Sequence, residues 1–313
     1  MSIENMRILS KVAHMYYEEG YTQAEIAANI GVSRSLISKF LTKARELGIV
    51  EIIIHDAVHK YRQLERELEK LYNIREVVCI ESIGLESTKK QLGEATAEYL
   101  FRILKDGQIV GFSSGTTLYE VAQAINGYHT YESSTVVPLV GGIGNERVDV
   151  HSNTIVAKVG SALQANYKLL HLPVMVDTKE AKEVLKRQQS IRNILEMGEQ
   201  VDVAVVGIGG SPEHSTIVKS YLGFEHERVA GCSDIVGDIC YNFIDQNGNP
   251  VENDWNERVI SIEIEKLRKL PLVIGVAAGI EKVEAIKAAL RGNLIQVLIT
   301  DEVSGKALLD SGK

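Results

Sequence analysis

Apolar residues recur at helical spacing through the first fifty positions and predict three helices, over about residues 7–19, 22–30 and 34–47. From Val77 onward the pattern changes, because short apolar runs alternate with longer amphipathic stretches. The chain is therefore predicted to hold a small helical domain followed by a larger α/β body.

The strands predicted in the body are rich in Val and Ile: Val77–Ile80, Ile109–Phe112, Val136–Val140, Val203–Ile208, Val273–Ala277 and Gln296–Thr300. The helices predicted between and after them are Lys89–Leu104, Leu118–Ile125, Thr154–Leu163, Lys179–Met197, Lys282–Leu290 and Val303–Leu309. This alternation predicts an α/β fold with a doubly wound, mainly parallel, Rossmann-like sheet. Ligands of such sheets bind outside the carboxyl ends of the strands.

The helical domain carries clear signals for where its helices begin and end. Thr22 and Glu25 have the spacing of a capping box at the start of the second helix. Gly31 suits a left-handed turn after that helix, and Ser33 can cap the third one. These features have the spacing of a helix-turn-helix, whose second core helix enters the major groove of DNA.

Charge supports the same interpretation. The chain has a net charge of −8, yet residues 26–45 contain four basic residues and no acidic one. A basic window of this kind is the electrostatic footprint of DNA binding. The candidate DNA-binding residues are Gln23, Ser33, Arg34, Ser35, Ser38, Lys39 and Lys43. The alternative is an ordinary three-helix bundle with a polar face.

A charged helical segment follows, and a strand over residues 50–55 is predicted before it. Tyr61, Leu64, Leu68 and Leu71 lie at intervals of three, four and three residues, as in the apolar seam of a coiled coil. We expect this seam to pair two chains, because helix-turn-helix proteins usually bind two half-sites as dimers. A surface helix packed on the body is the alternative.

The end of the second predicted body strand offers a site for an anion. Ser113, Ser114, Gly115, Thr116 and Thr117 follow the strand and lead directly into a helix. The glycine permits close backbone approach, while the hydroxyls and the free amides of the helix start can donate hydrogen bonds. The alternative is that a threonine of this loop only caps the helix.

Three further candidates lie near other strand ends. Gly142 belongs to a glycine-rich run, where a tight structural turn explains the glycines as well as a ligand does. Lys282 follows the loop Gly275–Gly279 and offers a positive charge for a phosphate, although it could also be a solvated lysine. Asp238 has apolar neighbours, so its carboxylate needs sugar hydroxyls or backbone amides as partners.

Several function classes are excluded by composition and spacing. With 45% apolar and 24% charged residues the chain is neither disordered nor fibrous. It has no metal-ligand spacing and no nucleophile elbow, so we expect no metal, no cofactor and no catalytic residue. Cys79, Cys232 and Cys240 are expected to be buried thiols. Without a secretory signal or a membrane-length apolar run, a cytoplasmic protein is expected.

The order of these motifs resembles that of the sugar-binding transcriptional regulators of the SorC/DeoR type, over nearly the whole chain. The segments that carry the resemblance are Tyr16–Ala27, Ser33-Arg34, Ile37-Ser38, Ala44–Ile49, Gly111–Thr117, Leu139–Gly144, Val236–Ile239, Phe243–Asp245, Gly275–Leu290 and Ile299–Asp301.

The resemblance implies a bacterial transcriptional regulator of a carbohydrate-use operon, which binds double-stranded operator DNA as a homodimer to homotetramer. We expect a repressor, although the sequence does not give the sign of regulation. It implies a body similar to sugar-phosphate isomerases, in which a phosphorylated sugar changes the affinity for the operator. The residues implied to hold the phosphate are Ser113, Gly115, Thr116, Thr117 and Lys282, with Asp238 facing the sugar. Residues 145–153, including Arg147, Asp149 and Asn153, would form a variable pocket wall.

We therefore expect a DNA-binding domain at residues 1–54, a linker and dimerisation helix at 55–75, and an effector-binding and oligomerisation domain at 76–313. The competing hypothesis is an isomerase-like enzyme of sugar-phosphate metabolism that carries a helical head. Such chemistry needs a general base beside the phosphate loops, and Asp238 is the only attractive candidate.

Overall fold

A computed structural model describes residues 3–50, 60–127, 129–142, 148–212 and 234–311. The chain divides into two compact units, Met1–Lys60 and Tyr61–Lys313. The domain limits expected at residues 54 and 75 stay predictions, and the strand expected over 50–55 lies almost entirely outside the described residues.

The first unit is a bundle of three helices: α1 (Ile3–Tyr17), α2 (Gln23–Ile30) and α3 (Arg34–Glu46). Its core is formed by one apolar stripe from each helix, so that Val12, Ile26 and Ile37 are fully buried. The three predicted helices are thus present, with the short α2–α3 connection of a helix-turn-helix.

The second unit contains strands β1 (Glu76–Ile80), β2 (Ile109–Phe112), β3 (Thr135–Pro138), β4 (Asn166–Tyr167), β5 (Val203–Gly209), β6 (Gly237–Ile239), β7 (Asn242–Ile244), β8 (Val273–Val276) and β9 (Val297–Asp301). Its helices are α4 (Arg62–Tyr72), α5 (Leu85–Ile103), α6 (Thr116–Ala124), α7 (Ser152–Ala162), α8 (Lys179–Lys186), α9 (Gln189–Gly198), α10 (Asp254–Arg258), α11 (Ile264–Leu267), α12 (Val283–Arg291) and α13 (Glu302–Asp310). Two short 3-10 helices are Val148–Val150 and Ile280–Lys282.

The main sheet has the strand order β1-β9-β8-β5-β2-β3-β4, and each neighbouring pair in this order is parallel. The β6–β7 hairpin pairs antiparallel with the end of β5. The predicted α/β class with a mainly parallel sheet is confirmed, while the antiparallel hairpin was not predicted. Because β2, β5 and β8 are adjacent and parallel, their carboxyl ends meet at one edge of the sheet.

Strand β5 explains why the unit has helices on both faces of the sheet. Along it, Ala204 and Val206 belong to one hydrophobic cluster, and Val203 and Val205 belong to another. This alternation is the two-residue period of a strand that is buried on both sides. Helices α4, α12 and α13 supply residues to the first cluster, and α5, α6 and α7 supply residues to the second.

Helix α4 covers the exposed edge of β1. The carboxylates of Glu65 and Glu69 lie one helical turn apart and accept hydrogen bonds from the backbone N–H groups of Cys79 and Val77, at 2.8 and 3.0 Å. These N–H groups point away from the neighbouring strand and would otherwise be open to another chain. The helix therefore satisfies the donors of an edge strand, as a further strand would.

The apolar seam of α4 is used inside its own chain. Leu68 is only 1% exposed, and Leu64 packs against the same core cluster. A side chain at Gly305 of α13 would meet both leucines, so the glycine permits this close helix contact. The expectation that Leu64 and Leu68 pair two chains is therefore wrong, and the packed surface helix is correct. Assembly through another surface stays a prediction.

The cysteines in the described residues, Cys79 and Cys240, are buried free thiols, as expected. Burial raises the pKa of both thiols, which keeps them protonated and unreactive at neutral pH. Cys232 lies outside the described residues.

Substitution of Leu68 by alanine should lower the free energy of unfolding of the second unit by about 2–5 kcal/mol, because it leaves a cavity in a packed core. Leu71→Ala is the matched control, since Leu71 is 39% exposed and should change stability little. Urea unfolding and sedimentation of both variants test this. A Leu71→Ala variant that falls apart into monomers, beside an unchanged Leu68→Ala variant, would restore the seam hypothesis.

Candidate functional site

The first unit presents α3 as a rigid element, because both caps expected from the sequence are formed. Thr22 accepts a hydrogen bond from the Glu25 N–H, and the Glu25 carboxylate accepts one from the Thr22 N–H at 2.8 Å. The hydrogen bonds that the Thr22 backbone N–H and then the Thr22 hydroxyl donate to the Glu25 carboxylate lower the pKa of Glu25. Gly31 ends α2 with a φ of 78°, and Ser33 caps α3 through the Leu36 N–H at 3.3 Å.

The candidate DNA-binding side chains lie on the exposed surface of this unit. Those that are exposed are Ser33, Arg34, Ser35, Ser38, Lys39 and Lys43. Gln23 is half-buried at the start of α2 and lines, with Arg34, a cavity of about 300 Å³. Six of the seven candidate side chains are therefore accessible to a ligand in solution.

The cations of α3 differ in how far they are already neutralised. Lys43 forms an exposed ion pair with Glu46 at 2.9 Å. Arg34 and Lys39 form no ion pair within the part of the chain that the structure describes. Their charges, like that of the exposed Arg45 on the same helix, are directly available to a polyanion.

In the second unit, the hydroxyl loop after β2 lies against the end of β5. Ser113 is buried, its N–H donates to the Val205 carbonyl at 3.0 Å, and its Oγ accepts from the Gly207 N–H at 3.2 Å. Ser113 thus extends the pairing of the two strands and fixes the loop that follows. Ser114 to Thr117 are partly exposed.

Helix α6 begins without a side-chain cap. Its N-cap residue is Gly115, with a φ of 119°, and the Gly115 N–H donates to the Val150 carbonyl at 3.0 Å. Thr116 and Thr117 make no capping bond, so the alternative that these threonines only cap the helix is wrong. The first-turn amides and two hydroxyls remain as donors for an anion.

Asp238 lies on β6, directly opposite Gly209 of β5. The aspartate is 3% exposed, and a Cβ on the glycine would lie 1.9 Å from its Oδ1 atom. Only glycine therefore fits beneath this carboxylate. The charge of Asp238 also acts on the Cys240 thiol, which interacts in turn with the Ser113 hydroxyl, so the aspartate and the loop after β2 belong to one cluster.

Lys282 ends the 3-10 helix that follows β8. Burial lowers the pKa of its ammonium group, and the nearby charge of Asp238 opposes that shift. The structure thus brings Lys282 within the electrostatic reach of Asp238. An ammonium held in a poorly solvated setting gains from any further anion that enters.

Gly142 and Asn153 are engaged in the architecture. The Gly142 N–H donates to the Leu172 carbonyl, and its own carbonyl accepts from Val174, both at 2.8 Å. The Asn153 side chain donates to and accepts from the backbone of Leu170. These bonds favour the tight-turn explanation for Gly142. Arg147 lies outside the described residues.

The chain resembles known proteins along nearly its whole length. The family model "Putative sugar-binding domain" matches residues 56–310, and the model for region 4 of sigma-70 matches residues 10–46. The deoxyribonucleoside regulator of Bacillus subtilis (strain 168) is 32% identical over 312 residues, which cover 99% of each chain. The chain belongs to the SorC/DeoR-type family of sugar-binding regulators.

Two further matches concern the sorbitol operon regulator of Klebsiella pneumoniae. Its sequence is 31% identical over 310 residues, covering 98% of each chain. The crystal structure of full-length SorC from that organism aligns with a TM-score of 0.75 over 97% of this chain and 98% of that one, at 32% identity. These relatives are named regulators, which supports the assignment of this SorC/DeoR-type chain to regulators rather than to enzymes.

One contact of this SorC/DeoR-type site was missed by sequence reasoning. The Tyr241 hydroxyl lies 2.5 Å from the Ser114 Oγ atom, although 127 positions separate the two residues. No local motif signals it, because Cys240-Tyr241 is not a sequence typical of tight hairpin turns. Within the described residues, no helix is long and apolar enough to span a membrane, and no group of three or more His, Cys, Asp or Glu could hold a metal ion.

For the DNA-binding face, Arg34→Ala should reduce operator affinity by about 1–3 kcal/mol and relax sequence preference if the guanidinium reads a guanine. Lys43→Ala should weaken binding to all sequences alike, because a phosphate contact carries no sequence information. The slope of log affinity against log salt concentration should decrease in magnitude by about one, because one fewer phosphate is neutralised. Fluorescence anisotropy with operator and random duplexes measures both effects. Lys11→Ala, an exposed charge on α1, is the control. Parent-like binding of both α3 variants would remove this helix from the interface.

Proposed function

We propose that this chain is a transcriptional repressor of a carbohydrate-use operon, and that a phosphorylated sugar bound by the second unit controls its affinity for operator DNA. One observation carries the proposal: a single chain combines an exposed basic helix-turn-helix face with a sugar-binding family domain over residues 56–310. A protein that acts on chromosomal DNA in a bacterium works in the cytoplasm.

The phosphate is the part of the effector that the geometry supports most directly. A sugar phosphate carries about two negative charges near neutral pH, and residues 51–313 carry a net charge of −9. The ligand therefore needs a local positive field in order to enter. The uncapped amides of α6 and the Lys282 ammonium supply such a field at the carboxyl ends of β2 and β8, the two strands that flank β5.

The electrostatic state of Lys282 strengthens this argument. Burial lowers the pKa of its ammonium, while Asp238 and Glu281 raise it and Lys89 lowers it further. A bound phosphate would stabilise the charged form and raise this pKa again. Phosphate affinity should then be greatest where Lys282 is protonated and should fall as pH rises through its pKa.

Asp238 is proposed to select the sugar. A carboxylate repels a phosphate, but it accepts hydrogen bonds from hydroxyl groups well. Asp238 is only 3% exposed and lies on a strand paired with β5, so its oxygens cannot move to suit every ligand. Asp238 would thus discriminate among the hydroxyl arrangements of different sugars.

The proposed assembly is a homodimer or homotetramer, because a helix-turn-helix generally binds two half-sites. Since Leu64 and Leu68 are covered within their own chain, the surface that pairs the chains must be another one. Analytical ultracentrifugation of the full chain, with and without operator, determines the number of chains in the complex.

Lys282→Ala should weaken the binding of sugar phosphates by about 2–3 kcal/mol, the scale of a charge-assisted hydrogen bond lost from a partly buried site. Lys105→Ala removes the same charge before β2, at the opposite edge of the sheet, and is the matched control. Isothermal titration with a panel of aldose and ketose phosphates and their unphosphorylated sugars measures the affinities. Equal binding of the unphosphorylated sugars, or parent-like binding by Lys282→Ala, would contradict the phosphate site.

Effector and operator should also change each other's affinity by the same factor, because coupling between two binding sites is reciprocal. The effector affinity is measured with and without saturating operator, and the operator affinity with and without saturating effector. Two equal factors different from one support control by the effector. If the effector affinity is the same with and without operator, the coupling is disproved, although the proposed binding site is not.

A further inference from the structure

The β6–β7 hairpin turns through an unusual pair of residues. Cys240 and Tyr241 both have positive φ values, 51° and 65°, between the strands Gly237–Ile239 and Asn242–Ile244. Two consecutive left-handed residues are typical of a tight hairpin turn, but Asn and Gly normally occupy them. A left-handed backbone raises the conformational free energy of a residue that has a Cβ atom. Residues held in such strained conformations are often found at functional sites.

The surrounding structure holds this turn in place. The Asn242 side chain donates to the Cys240 and Ile262 carbonyls, at 3.2 and 3.0 Å. The Trp255 indole N–H donates to the Tyr241 carbonyl at 2.8 Å. Tyr241 and Trp255 are only 2% and 3% exposed. The tyrosine ring is therefore fixed by packing and by its backbone, and its hydroxyl has a defined position.

That hydroxyl lies 2.5 Å from the Ser114 Oγ, in the loop that leads into α6. Each hydroxyl carries one proton and can both donate and accept. If the serine donates to the tyrosine, its proton is unavailable to an anion at the start of α6. If the tyrosine donates to the serine, the Ser114 proton is free for such an anion, and the serine becomes a better donor because hydrogen bonds in a chain polarise one another.

We propose that Tyr241 is a positioning residue of the effector site: its hydroxyl donates to Ser114, and Ser114 donates in turn to a phosphate oxygen of the effector. This inference rests on the proposed function, because it assumes a phosphate at the start of α6. It adds a specific role for a buried side chain of the hairpin that also carries Asp238. The hairpin would then touch the ligand through Asp238 and orient the phosphate loop through Tyr241.

A double-mutant cycle on the full chain tests the proposal. Parent, Tyr241→Phe, Ser114→Ala and the double variant are titrated with inorganic phosphate, glucose 6-phosphate and fructose 6-phosphate. Tyr241→Phe should weaken phosphate binding by about 3- to 10-fold and Ser114→Ala by about 10-fold, the range of single hydrogen bonds to a charged partner. The double variant should bind like Ser114→Ala, because the tyrosine acts only through the serine.

Tyr119→Phe is the control, since it removes a tyrosine hydroxyl on α6 that bonds to the Gln123 side chain. Thermal unfolding of every variant separates folding from binding. The proposal is overturned if Tyr241→Phe binds phosphate as the parent does, or if it weakens binding equally in the Ser114→Ala background. Parent-like binding by Ser114→Ala overturns it even if Tyr241→Phe does not fold. If the parent binds none of these probes and none of the panel of aldose and ketose phosphates, the proposed function itself fails.

Discussion

The close approach of the Asp238 carboxylate to the backbone of Gly209 is the constraint on which the candidate site depends. No side chain fits at that glycine, so β6 can pair with the end of β5 and bring its carboxylate over the edge of the sheet. The Gly207 N–H, two residues earlier, binds Ser113 and anchors the hydroxyl loop. The end of one central strand thus organises groups from both its parallel neighbour and its antiparallel hairpin.

Charge is divided between the two units in a way that suits two different anions. The α3 face carries exposed cations, of which Arg34 and Lys39 form no ion pair in the described part of the chain. The second unit is acidic overall and presents partly buried or backbone-based positive groups, such as Lys282 and the start of α6. Duplex DNA, a long polyanion, needs accessible charges, whereas a small dianion binds more selectively where water is scarce.

Local signals predicted those parts of the molecule that local physics determines. The strand Ile109–Phe112 has its predicted limits. The helix caps at Thr22 and Ser33 were also predictable, because each capping hydrogen bond joins residues only three positions apart in the chain. The periodicity of α4 gave its apolar face correctly but could not reveal that α13 of the same chain covers it. The contact between Tyr241 and Ser114 also needs the folded sheet, as does the break between α8 and α9 at an extended Gln188.

The manner in which α4 covers β1 bears on how the second unit could be produced alone. A fragment starting at residue 76 would lack Glu65, Glu69 and Leu68, leaving two strand donors open and an apolar hollow beside Cys79. An open edge next to exposed apolar surface is a template for intermolecular strand addition. A fragment that starts at Tyr61, where the compact unit begins, keeps its own protection against aggregation.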